Sequence, residues 1–116
     1  MSIIFYHDSE QETAARKSMA AVEEKLKTTI YTELLPISTF YLAEEYHQKY
    51  YLQGEPELSI EIRAYYPEFE GYINSTAAAR LNGLVAGYGD KDLLTEEINS
   101  YGLSPKGREL LWQLVF

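Results

Sequence analysis

Residues 2–7 read "SIIFYH", an unbroken β-branched and aromatic run, and a helix start follows it at once. A run with no alternating polar positions reads as a strand covered on both faces. In "DSEQE", Ser9 stands three residues before Glu12, the spacing of a capping box. Ala15, Met19, Val22 and Leu26 then recur at steps of four, three and four, which puts them on one face of a helix lasting to about Lys27. Arg16, Lys17, Glu23 and Glu24 fall to its solvent side. Residues 29–37, "TIYTELLPI", make a second strand with Ile30, Thr32 and Leu34 alternating. Pro36 has no N–H to give a ladder, so this strand ends there or lies at an edge. A strand–helix–strand order with so long a connection makes the two strands parallel, or brings further strands between them. No other feature narrows the fold as much.

After Pro36 the pattern turns helical. Ser38 or Thr39 caps a helix through "FYLAEEYHQKYYLQ", ended by Gly54 with Pro56 beyond it. "LSIEIRAYYPEFEGYINS" reads as turn-rich, punctuated by Pro67 and Gly71. Ser75 caps a helix to about Val85, "LLTEEINSYG" is a shorter helix closed by Gly102, and Ser104 with Pro105 starts the last one. The expectation is a single domain over residues 1–116. Residues 1–53 form strand–helix–strand–helix, and the helical second half wraps the sheet.

Charge and composition exclude several classes. The net charge is −8, from 18 acidic and 10 basic residues, with no basic stripe. That argues against nucleic acid, whose phosphates need clustered Lys and Arg. There is no cysteine, so disulfides, thiolate zinc sites and thiol catalysis by this chain are excluded. "MSIIFYH" is too short an apolar run for a signal peptide, and no 18-residue apolar segment exists. The expectation is a soluble, cytoplasmic protein with no membrane partner, in which the glycosylation sequon at Asn74 carries no meaning.

One dozen residues concentrate ionisable and aromatic groups. In "FYLAEEYHQKYY", Glu44 and His47 stand at i and i+3, which on a helix lets a carboxylate orient an imidazole. That arrangement suits general acid–base work or half of a carboxylate-bridged metal site. The metal version needs a second such pair, and His7, the other histidine, has no glutamate three positions before it. The plainer reading is a buried, hydrogen-bonded pair bracing the helix. Phe40, Tyr41, Tyr46, Tyr50 and Tyr51 could line a pocket for an apolar group, with Tyr46 and Tyr50 one turn apart on a shared face. An aromatic stripe at that spacing is more often core. "NGLVAGYGD" has the glycines of a nucleotide-binding loop but neither the preceding strand nor the lysine.

Two stretches, "IIFYHDSEQ…AA" and "FYLAEEYHQKY", resemble the C-terminal part of type A peptide methionine sulfoxide reductases. Phe40, Ala43, Glu44, His47 and Gln48 fit that family's pattern, and "STAAARLNGLVAGYG" is similar to the tail of a longer-tailed branch. The resemblance implies an α+β fold, a small mixed sheet with flanking helices and a mainly helical C-terminal half. It also exposes departures. The family's nucleophilic cysteine, in a Gly-Cys-Phe-Trp motif, belongs to a region before the one present here, as do its glutamate acid and the groups that hold the sulfoxide oxygen. The recycling cysteines of the usual tail are missing too. The implied reading is a C-terminal segment or truncated homologue, inactive alone, with no catalytic residue, no metal and no cofactor of its own. Glu44, His47, Gln48, Phe40 and Tyr41 then buttress the back of a site. The implied partner is a second copy or an N-terminal catalytic chain, with methionine sulfoxide as substrate only when that partner completes the site. The alternative is a non-catalytic interaction module on the same scaffold, presenting exposed tyrosines as an interface.

Overall fold

A computed structural model describes all 116 residues. The chain gathers into two compact units, Met1–Leu42 and Ala43–Phe116.

The first unit is one strand–helix–strand. Strand β1 (Ile3–Tyr6) pairs in parallel with β2 (Glu33–Pro36), and helix α1 (Ser9–Leu26) makes the connection. The strands are parallel neighbours with nothing between them, which decides between the two arrangements the sequence allowed. Asp8, not Ser9, is the N-cap of α1: its carboxylate accepts the Gln11 N–H at 2.8 Å, while the Gln11 side chain takes the His7 N–H. The cap is therefore set by Asp8 with Gln11, one residue earlier than the Ser9–Glu12 reading, and the returning Gln11 side chain takes the N–H of His7 and not that of Asp8. Lys27 in the left-handed region ends the helix. The Glu23 carboxylate turns back to accept the Ile30 N–H at 2.8 Å, so Glu23 holds the return loop instead of facing solvent. Residues 29–32 stay outside the ladder, and β2 begins only at Glu33. It ends at Pro36, whose nitrogen faces away from β1. The missing N–H leaves the outer edge of β2 without a donor there, and the Ile37 N–H still reaches the Tyr6 carbonyl.

β1 is less covered than its apolar run implies. Ile4 and Phe5 are exposed, and no residue of α1 is buried. The carbonyls of Ser2 and Tyr6 accept the N–H groups of Glu33 and Ile37. In a parallel ladder the alternate residues Ile3 and Phe5 then direct their N–H and C=O groups to the outer edge. The sheet has two strands, so that edge carries no ladder partner within the chain.

The second unit is all-helical: α2 (Tyr50–Gln53), α3 (Pro56–Arg63), α4 (Phe69–Ile73), α5 (Thr76–Val85), α6 (Lys91–Glu97), a 3₁₀ turn (Ile98–Ser100) and α7 (Pro105–Val115). The helix expected from Ser38 or Thr39 to Gln53 does not form. Residues 37–44 have no regular structure, 45–49 are turns, and Lys49 at φ 51° interrupts the chain just before α2. A helix nucleus is costly unless an apolar face is buried, and Phe40, Tyr41, Leu42 and Tyr46 are all exposed. The helices expected at Ser75 and at Ser104–Pro105 form as read: the Ser75 hydroxyl accepts the Ala78 N–H and the Ser104 hydroxyl accepts the Gly107 N–H. Two helices lie in the stretch read as turn-rich, α3 and α4.

Every buried apolar side chain belongs to this unit, from Leu52 to Leu111. Leu52, Leu58, Ile62, Tyr72, Leu81, Leu94 and Leu111 are essentially inaccessible, so the helices bury their faces against one another. Each buried leucine contributes about 1.5–3 kcal/mol relative to exposure. The small sheet, flanking helix and helical C-terminal half together make the α+β class expected.

Candidate functional site

Within the second unit, the turn at 45–49 and α2 shape a hollow of about 450 Å³ lined by Tyr46, Tyr50, Tyr51, Gln53, Gly54 and Glu55. Tyr50 and Tyr51 meet edge to face, with ring centroids 5.6 Å apart. The Gln53 amide ties the turn down, donating to the Glu45 carbonyl at 2.9 Å and to that of Gln48. The Gln48 amide donates to the Ala43 carbonyl at 3.2 Å. These side-chain bonds replace the backbone ladder that a continuous helix would have supplied. Tyr46 and Tyr50 thus do share a surface, though a turn brings them there and Tyr51 joins them.

Glu44 and His47 also come together, at 3.9 Å between Oε2 and Nε2, across the same turn. The His47 ring lies tilted by 43° against Tyr46, with ring centroids 4.2 Å apart. Its side chain is 56% exposed, which overturns the expectation of a buried histidine. The cause is local: without the long helix, nothing presses the ring inward. Phe40 and Tyr41 belong to the first unit and are 76% and 82% exposed. His7 bonds the Gln11 side chain through Nδ1 at 3.1 Å. No three His, Cys, Asp or Glu side chains gather at one point.

A larger hollow of about 590 Å³ lies at Glu61, Ala64, Tyr65 and residues 102–104. Its polar groups are already engaged. Glu61 accepts from both the N–H and the hydroxyl of Ser104 at 2.7 Å, and the Tyr65 hydroxyl donates to the Gly102 carbonyl at 2.7 Å. The tyrosine hollow keeps free hydroxyls beside apolar ring faces, the mixture expected where a small organic group is held. Gln53 and Glu55 escaped the sequence reading, since a lone amide or carboxylate beside a glycine carries no spacing signal.

The family model for peptide methionine sulfoxide reductase matches residues 1–77, a stretch that includes the hollow. The chain belongs to this family. A Drosophila melanogaster peptide methionine sulfoxide reductase is 36% identical over 109 residues, 93% of this chain and 43% of that protein. Peptide methionine sulfoxide reductase A2-1 of Oryza sativa subsp. japonica is 51% identical over 51 residues, covering 44% of this chain and 27% of its own length. The MsrA protein of Methanosarcina acetivorans is 48% identical over 52 residues, 43% of this chain and 28% of its own. The chain therefore spans less than half the length of these reductases. Residues 78–116 lie beyond the reductase family match, and they carry most of α5 and all of α6 and α7. No helix is long and apolar enough to cross a membrane.

Proposed function

We propose that residues 1–116 form the wall of a methionine sulfoxide reductase site, with the sulfur nucleophile supplied by polypeptide outside them. The observation that carries this is the tyrosine-lined hollow inside a family-matched stretch that holds no cysteine. Sulfoxide reduction by thiol chemistry needs a thiolate to attack sulfur, and no side chain here replaces one. What the hollow offers instead is binding. Its ring faces suit the methyl and methylene groups of a methionine sulfoxide side chain, and its hydroxyls suit polar neighbours. Glu44 and His47, beside Tyr46, act as supports of that wall. The bare outer edge of β1 is where a second copy or a thiol-bearing polypeptide adds a strand.

The test is a reductase assay with dithiothreitol and a methionine sulfoxide peptide. The chain alone is expected to give no turnover above a no-protein control, and addition of a polypeptide carrying a Gly-Cys-Phe-Trp segment from a relative is expected to restore it. Turnover by the chain alone overturns the proposal. The exposure of Phe40, Tyr41 and Leu42 favours a second reading, a non-catalytic interaction module. Failure to restore turnover, with retained binding of the added polypeptide, would select that reading.

A further inference from the structure

Helix α2 is a single turn, too short to persist on its own, yet it presents two of the three hollow-lining tyrosines. Its N-cap residue, Lys49, lies at φ 51° and makes no side-chain capping bond. The first N–H groups of any helix lack intrahelical partners and need an acceptor from elsewhere. For Leu52 that acceptor is the Asn82 side chain, whose Oδ1 receives the Leu52 N–H at 3.2 Å from thirty residues away. Leu52 itself is fully buried, so this N–H has no access to water in its place. Asn82 lies on α5, past residue 77 where the family match ends.

We infer that Asn82 is a positioning residue for the tyrosine hollow, capping α2 from the part of α5 that lies past the family-model match. Its oxygen fixes the backbone of α2, and that backbone sets where the Tyr50 and Tyr51 rings stand. The tail from residue 78 onward thereby shapes a binding surface built from residues before it. The role in substrate binding rests on reading the hollow as the substrate wall; the capping role does not.

The experiment uses the whole chain and three variants: Asn82→Ala, Asn82→Asp, which keeps an acceptor oxygen, and Leu111→Val, which weakens the same core from α7 and leaves the Asn82–Leu52 bond in place. Three quantities are read: amide exchange at Leu52, the ring resonances of Tyr46, Tyr50 and Tyr51, and affinity for N-acetylmethionine sulfoxide methylamide. Asn82→Ala is expected to speed Leu52 exchange by about tenfold over Leu111→Val, to move the tyrosine resonances and to weaken the probe by about fivefold or more. Asn82→Asp is expected to restore all three. If Asn82→Ala matches Leu111→Val in exchange and ring resonances, or if Asn82→Asp behaves like Asn82→Ala, the positioning role is overturned. If the unmodified chain fails to bind the probe, the substrate reading of the hollow falls, while exchange and ring resonances still decide the role of Asn82.

Discussion

Tyr101 shows how one side chain can join three elements. Its ring is buried, its hydroxyl donates to the Glu97 carboxylate at 2.7 Å, and Arg80 of α5 approaches the other Glu97 oxygen at 3.6 Å. Burial first, and the Glu97 bond second, push the phenol up from 10 to about 12. Ionising it would set a phenolate against a partly buried carboxylate. The unfolded chain gives up this proton near pH 10 and the folded chain only near 12, so the folded state binds it more tightly. Its contribution is complete below about pH 10 and is lost as the pH climbs to about 12. Tyr101→Phe is expected to cost about 1–2 kcal/mol at neutral pH, the worth of a partly buried bond to a charged acceptor. Above pH 10 the gap between variant and parent should narrow. Urea unfolding of both proteins across an alkaline series measures this, and a gap that stays constant would refute it.

Among the elements, the junction of α3 with α7 depends on a glycine. Glu61 receives both Ser104 donors, and the Ser104 hydroxyl in turn caps α7 through the Gly107 N–H at 3.0 Å. A Cβ on Gly107 would stand 2.7 Å from a Glu61 oxygen. Gly107→Ala therefore displaces the carboxylate and costs about 1 kcal/mol or more, outweighing the helix propensity that alanine gains. In a Glu61→Ala background the conflict vanishes, and the same Gly107→Ala change should stabilise by about 0.5–1 kcal/mol. Thermal melts of the two single variants and the double variant give the sign directly; equal effects in both backgrounds would exclude the clash. The same region shows what the sequence could reveal. Serine caps and Pro105 announce α5 and α7 because those signals are local. α3 was hidden in a stretch that Pro67 and Gly71 made read as turn-rich, yet the helix buries Leu58 and Ile62, four apart, and leaves Ile60 69% exposed. Pro56 at the first helical position was the available clue. Residues 39–53 misled in the opposite direction: their helical spacing was real, but a helix needs a surface to bury against, and that lies outside any local pattern. The hollow was half legible for the same reason. Its tyrosines stood out, while Gln53 and Asn82 act through folds of the chain that spacing does not record.

At the scale of the whole molecule, apolar burial is uneven. The core of the second unit draws on Leu52, Leu58, Ile62 and Tyr72 from the family-matched stretch and on Leu81, Leu94 and Leu111 from beyond it. The tail is thus part of that core, and a chain cut at residue 77 would leave four large buried side chains without most of their cover. The first unit has no buried residue and a two-stranded sheet, a size of sheet that is marginal in water alone. We expect its outer β1 edge to recruit a strand, so sedimentation at micromolar concentration should show species larger than 13.3 kDa. A monomer that melts in one cooperative step would contradict this. Between the halves of the chain, residues 37–44 run without regular structure and expose Phe40, Tyr41 and Leu42 in succession. Chymotrypsin cuts after such aromatic and leucine residues, and residues 38–42, which have no backbone–backbone hydrogen bond, fit its active site readily. Brief digestion should therefore nick the chain there first and leave Ala43–Phe116 as the surviving fragment, carrying the tyrosine hollow intact.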